Sequence, residues 1–200
     1  MRKSLLIILT AGLILAAIPT GPAQAQLECT DPNLIAVVFE NEDINYIPPI
    51  GSPYGMQVRL LNPTVPGFNA FEFKLDMPAD IFILQAQLPP GAINVGSGQD
   101  FIVGLGSCDF PVNGQFVYVD FVLLNVNANQ GDFYLQPTDV PSISGEMAFQ
   151  GCSGPPLIPM YPLSGDHLLP VARINGPPLQ YCDPIARQRF SWKPREGRSV

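Results

Sequence analysis

Residues able to do chemistry are few in this chain, and their spacing matches no catalytic motif. His167 is the only histidine, and no serine sits in a G-x-S-x-G elbow, so a hydrolytic triad has no material to form from. Carboxylates are plentiful, with 17 Asp+Glu in 200 residues. A glycosidase needs only two of them about 5–9.5 Å apart. Acids on strands and turns are mostly solvated, however, and a domain of this size offers little wall for a substrate cleft. The expectation is a protein without catalytic residues.

Two oxygen-rich clusters could hold calcium, which takes six to eight oxygen ligands from such loops. One is Glu40, Glu42 and Asp43; the other is Asn127, Asn129 and Asp132. Neither has the spacing of a known calcium loop, and Asn/Asp/Gly runs make turns without metal. No cofactor and no metal site is therefore expected. The four cysteines, Cys29, Cys108, Cys152 and Cys182, contain no C-x-x-C pair. An even count in an exported chain points to two disulfides. Three pairings are possible; the favoured one joins Cys29 to Cys182 near the chain ends and Cys108 to Cys152 between strand ends.

A sharper candidate is an apolar surface. Gln115–Val126 (QFVYVDFVLLNV) is the longest β-rich run. Val117, Val119, Phe121 and Leu123 make one complete apolar row, expected to face inward. The opposite row, Phe116, Tyr118, Asp120, Val122 and Leu124, is also mostly apolar, unlike a strand with one wet face. Either another segment covers that row, with Gly154–Gly165 as one cover, or both rows lie in the core, or the row is a contact surface. In the last case Phe116, Tyr118, Val122 and Leu124, with Ile81 and Ile83 of a second strand, form a partner-binding face.

Arg2 and Lys3, the apolar run Leu5–Ile18 and then Ala23-Gln24-Ala25 have the three parts of a secretory signal peptide, with cleavage expected after Ala25. The apolar run is shorter than the roughly 20 residues of a bilayer span, and no later stretch is apolar enough to cross a membrane. Residues 26–183 hold three basic residues (Arg59, Lys74, Arg173) among 16 acids, a balance that gives no electrostatic footprint for nucleic acid. Residues 184–200 reverse the sign, with Arg187, Arg189, Lys193, Arg195 and Arg198 against Glu196. They read as a basic, solvated tail; as a functional arm they would touch acidic surface polymers. Trp192, the only tryptophan, could pin that tail to the body. The expected organisation is a leader over 1–25, one domain over 26–183 and the tail over 184–200.

The elements that must position these residues are strands. With 23 prolines and 18 glycines the chain is cut into short pieces, and no segment carries a convincing 3.6-residue apolar period. Phe71, Phe73 and Leu75 alternate with Glu72, Lys74 and Asp76; Met77-Pro78-Ala79-Asp80 interrupts, and Ile81–Leu88 resumes the extended pattern. Leu34–Phe39, Tyr54–Leu61, Phe101–Leu105, Phe133–Leu135, Ser142–Phe149 and His167–Ile174 read as further strands, while Gly154–Gly165 reads as a proline-rich surface wrap. The fold class is all-β: an antiparallel sandwich or jelly roll without substantial helix.

Taken in order, Met56-Gln57-Val58-Arg59-Leu60-Leu61-Asn62, Val65-Pro66-Gly67-Phe68, Phe71–Asp76, Ile81–Leu88 and Pro90-Gly91 resemble the first half of bacterial cohesin-like domains. Gly114-Gln115-Phe116 through Val126, followed by Gly131, is similar to the long strand of that family's second half. The resemblance covers roughly residues 34–150. It implies a nine-stranded jelly roll acting as a non-catalytic binding module, whose partner in cohesins proper is a dockerin and whose product is a cell-surface or enzyme-complex scaffold. The cysteines and the proline-rich segment after Cys152 depart from the family pattern, and no dockerin-like calcium loop accompanies them.

Two functions follow from this reading. The first is an extracellular, cell-surface or periplasmic module that binds a protein or a surface polymer. The second is a secreted carbohydrate-binding or carbohydrate-active module. A planar row of exposed aromatics would favour sugar; an aliphatic patch favours a protein partner.

Overall fold

The computed structural model describes residues 30–112, 114–154 and 156–181. The predicted leader, Cys29, Cys182, Trp192 and the basic tail lie outside the described residues. No helix among the described residues is long and apolar enough to cross a membrane.

All regular elements among the described residues are strands. They are β1 (Leu34–Phe39), β2 (Asn45–Tyr46), β3 (Pro53–Leu61), β4 (Phe68–Asp76), β5 (Ile81–Gln87) and β6 (Ala92–Asn94), then β7 (Asp100–Asp109), β8 (Gln115–Asn125), β9 (Gly131–Gln136), β10 (Met147–Gly151), β11 (Leu157–Pro162) and β12 (Ala172–Ile174). One layer runs β5-β8-β3-β1, all antiparallel. The facing layer runs β6-β7-β4, with β10 and then β9 sharing the far edge of β4. β12 continues from β9, and the two-residue β2 lies parallel beside it.

Twelve strands, rather than about nine, come from short additions to the expected set. Most of the expected segments fold as strands. The region Ser142–Phe149 forms a strand only from Met147, and His167–Ile174 only from Ala172. Gly154–Gly165 departs further, because Leu157–Pro162 is a strand rather than a surface wrap. β11 pairs antiparallel with β10 and parallel with β1, so it links the two layers. Its prolines hid it, since proline cannot donate to a ladder and is read as a strand breaker.

The turn at Met77–Asp80 separates β4 and β5 more completely than a hairpin would. β4 lies in one layer and β5 in the other, so the two alternating segments flank the core instead of pairing. Phe71, Phe73 and Leu75 of β4 point inward and are essentially inaccessible. Phe71 and Phe73 stack on Tyr118 of β8 across the sandwich. Fully burying such side chains contributes on the order of 2–3 kcal/mol each.

A bulge in β8 decides which residues reach that core. Val58 pairs with Val119 and Arg59 with Val117, so Tyr118 is an extra residue opposite β3. An extra residue shifts the two-residue alternation by one place. Phe116 and Tyr118 therefore face inward before the bulge, and Val119, Phe121 and Leu123 face inward after it; all five are buried. Val117 moves to the other face and is only half-buried.

Candidate functional site

A trough on the outer face of the β6-β7-β4-β10 layer holds about 540 Å³. Its position follows from strand register. Ile93, Gly104, Ala70 and Gln150 are successive cross-strand partners from β6 to β10, and Ile102, Glu72 and Ala148 form the neighbouring row. In β4 the aromatic residues take the inner face, which leaves Ala70 and Glu72 outside. Gly104 and Ala70 sit side by side in the middle, and their small size makes the depression. Nothing lies within 4 Å of where a Cβ on Gly104 would stand.

The walls are aliphatic. Ile93 and Val95 are 68% and 74% exposed, and Leu157 lines the opposite side with Gln150. Val95 is held in place by its N–H donating to the Ile102 carbonyl at 2.9 Å. Phe71 and Phe149 contribute to the floor but are buried, so no aromatic face is presented. Ring stacking of Phe71 on Tyr118, with centroids 4.3 Å apart, holds its ring on the core side.

Glu72 is the only charged residue in the lining. It is buried, and both of its oxygens are used: Oε1 accepts from the Ser142 N–H and Oε2 from the Ser142 hydroxyl, each at 2.7 Å. Hydrogen bonds to a charged acceptor are worth about 1.5–3 kcal/mol each, more than neutral ones. The carboxylate thus clamps the loop between β9 and β10 against the trough rim. The same loop is tied at its start by Lys74 Nζ to Asp139 Oδ1 at 2.7 Å. That hydrogen bond raises the Lys74 pKa and lowers that of Asp139. Both groups are in water, so the pair adds little to stability.

One end of the trough is stapled. Cys108 at the end of β7 and Cys152 just past β10 form a disulfide with Cα atoms 5.6 Å apart. The two strands lie on opposite sides of β4, so the bridge passes over the start of β4 at Gly67 and Phe68. Gly67 is required there: a Cβ would lie 2.9 Å from both the Asp109 carbonyl oxygen and Cys152 Sγ. Cys152 N–H also donates to the Gly67 carbonyl at 3.1 Å. The second predicted bridge, Cys29 to Cys182, lies outside the described residues.

The sequence matches no protein-family profile and no curated protein. Several solved structures are similar in shape. The sixth cohesin of Acetivibrio cellulolyticus scaffoldin B, solved in complex with a Cel5 dockerin mutant, is 11% identical, with 72% of this chain and 99% of that chain covered and a TM-score of 0.48. The cohesin module of the Clostridium perfringens family 33 glycoside hydrolase is 9% identical, with 64% and 90% covered and a TM-score of 0.43. The non-cellulosomal cohesin of the archaeon Archaeoglobus fulgidus is 12% identical, with 64% and 86% covered and a TM-score of 0.42. This likeness is to the same family that the strand motifs resemble. It concerns the fold, and the argument for a site rests on the trough itself.

The apolar face expected from sequence is rearranged. Phe116 and Tyr118 are core residues because of the β8 bulge, and Ile81 is buried as well. These three do not belong to an outer surface. Val122 and Leu124 do stay on the outer side of their layer, half-buried. Their neighbour on β5 is Phe82, paired with Leu124, and it is exposed together with Ile83 and Leu84. Nothing in the sequence marked the trough, because its floor is defined by the small residues Ala70, Gly104 and Ala148.

The oxygen-rich clusters are engaged by protein donors. Glu40 accepts from the Tyr46 hydroxyl and from Gly55 N–H. Glu42 takes a two-pronged ion pair from Arg59, at 2.8 and 3.2 Å. Asp43 Oδ1 accepts from Asn45 N–H at 3.0 Å. In the second cluster Asp132 accepts from Arg173 at 2.5 and 3.1 Å, and Asn127 Oδ1 accepts from Asn129 N–H at 2.9 Å. Among the described residues no group of three His, Cys, Asp or Glu is arranged to hold a metal. His167 Nδ1 lies 3.4 Å from the Leu135 carbonyl oxygen, away from the trough lining.

Proposed function

We propose that this chain is an exported, non-catalytic binding module that recognises a protein partner through the aliphatic trough of the β6-β7-β4-β10 layer. The observation that carries this reading is the lining. Exposed Ile93, Val95 and Leu157 surround a floor of Gly104, Ala70 and Ala148, and the one carboxylate is already bonded to Ser142. Such a surface offers shape and apolar area with no free charge, as the centre of a protein interface does. It provides no reacting group, and it has no convergent set of polar side chains of the kind that orients a small ligand.

A glycan is the weaker occupant. Sugar recognition by stacking needs an aromatic plane, and the rings nearest the trough face the core. Export is supported by the leader pattern in residues 1–25, and the module is read as acting outside the cytoplasm or on the cell surface.

The test is capture from the envelope fraction of the secreting organism with the immobilised chain, alongside a Gly104→Arg variant; a dockerin is a first defined probe. A protein retained by the wild type and lost from the variant supports the reading. A bound glycan, or retention that ignores the substitution, overturns it.

A further inference from the structure

The trough leaves unexplained the longest open strand edge among the described residues. β5 ends its layer, with β8 as its one strand partner, whereas the terminal strands β6 and β2 have three and two residues. Its sequence, Ile-Phe-Ile-Leu-Gln-Ala-Gln, contains no charge and no proline. Phe82 and Leu84 are each 53% exposed, and Ile83 is 39% exposed.

Edge strands are ordinarily guarded by lysine, proline or an inward charge, because unpaired N–H and C=O groups template pairing with another chain. Seven uncharged residues with four consecutive large apolar side chains, three of them exposed, are the type of segment that pairs most readily. A bulge leaves Leu84 as an extra residue opposite β8.

We propose that β5 pairs antiparallel with β5 of a second copy of this chain, about a two-fold axis, so that the β5-β8-β3-β1 layers of two molecules join into one sheet. A second copy fits better than an unrelated strand for three reasons. Two-fold pairing of a strand with itself closes, satisfying both open edges and leaving no new one. The chain has a formal net charge of −7, and the neutral β5 lets two copies meet without placing acids directly opposite each other. The row Pro53, Leu124 and Phe82 already runs across β3, β8 and β5, and it continues into the same row of the partner.

Strand pairing alone falls short of the roughly 1,200 Å² of a stable interface. The dimer is therefore weak and concentration-dependent. The trough lies on the other layer, so this inference stands apart from the proposed function.

Sedimentation equilibrium of the secreted chain across a concentration series, with amide exchange measured at low and high concentration, tests it. The expected result is a monomer–dimer equilibrium, slower exchange within Ile81–Gln87 at high concentration, and a monomer for the Phe82→Lys/Leu84→Lys variant. The exchange measurement needs no variant, so it decides the matter even if the double variant folds poorly. A wild type that stays monomeric throughout, or a dimer whose β5 exchange does not change with concentration, would overturn the proposal.

Discussion

The ring of Tyr118 on β8 stacks on Phe71 of β4, with centroids 4.3 Å apart and planes 18° from parallel. This contact joins the two layers, and it exists because a bulge in β8 turns Tyr118 inward. Phe68 packs edge-on against the same ring at 5.0 Å. Tyr118→Ala is expected to cost about 3–5 kcal/mol in urea unfolding, as for other buried aromatic truncations. Tyr118→Phe is expected to cost no more than about 1 kcal/mol, since among the described residues the hydroxyl's one partner is Met160 Sδ at 3.4 Å. A small loss for the alanine variant would return Tyr118 to the surface.

Gly104 tests the trough without disturbing the core. The space above it is open, and its backbone does not adopt the left-handed conformation reserved for glycine. Gly104→Arg is expected to leave the melting temperature unchanged while weakening the captured partner by at least about thirtyfold, the range of an interface hot spot. Isothermal titration and a thermal melt on the same sample separate the two effects. Full binding by the folded variant would remove the trough from the interface.

Glu72 acts through the loop it holds. Glu72→Ala breaks both bonds to Ser142 and is expected to cost about 2–3 kcal/mol. Ser142→Ala removes only the hydroxyl bond and is expected to cost about 1.5 kcal/mol, the low end for a bond to a charged acceptor. Limited proteolysis should cleave the Glu72 variant between β9 and β10 faster than the wild type. Equal cleavage would show that the loop is ordered by something else.

Alkaline pH should unfold the domain through its tyrosines. Burial, and then the hydrogen bond and charge of Glu40, push the Tyr46 phenol up to about 12. Burial also pushes Tyr54 and Tyr118 well above the usual phenol range. An unfolded chain releases these protons near pH 10, so the folded state holds more protons between that pH and about 12. Stability is then full below pH 10 and falls as pH rises through this window. Phenolate absorbance followed with urea midpoints should show these residues ionising only as the domain unfolds. Reversible titration of all tyrosines near pH 10 in the folded state would contradict this.

Much of the architecture was legible in the sequence because alternation is a local signal. Leu34–Phe39 matches β1, and Ile81–Leu88 overlaps β5 to within one residue. Alternation cannot reveal an extra residue in a strand, so the inner and outer rows of Gln115–Val126 were split in the wrong place at Tyr118. Pairing across the chain was hidden too: β11 reads as a proline-rich connection until β1 and β10 are placed beside it. The trough was the least legible feature. Its floor is written in residues too small to register as a pattern, and only the register of four strands brings Ile93, Gly104, Ala70 and Gln150 into line.

Site-specific photo-crosslinking tests the central claim most directly. A crosslinker in place of Ile93, on the trough wall, is compared with one in place of Phe82, on the other layer; both positions are exposed. In envelope extract, position 93 should trap a protein partner in a product that disappears in the Gly104→Arg background, while position 82 should trap a second copy of the chain. A heterologous partner trapped from position 82 and none from position 93 would contradict the account.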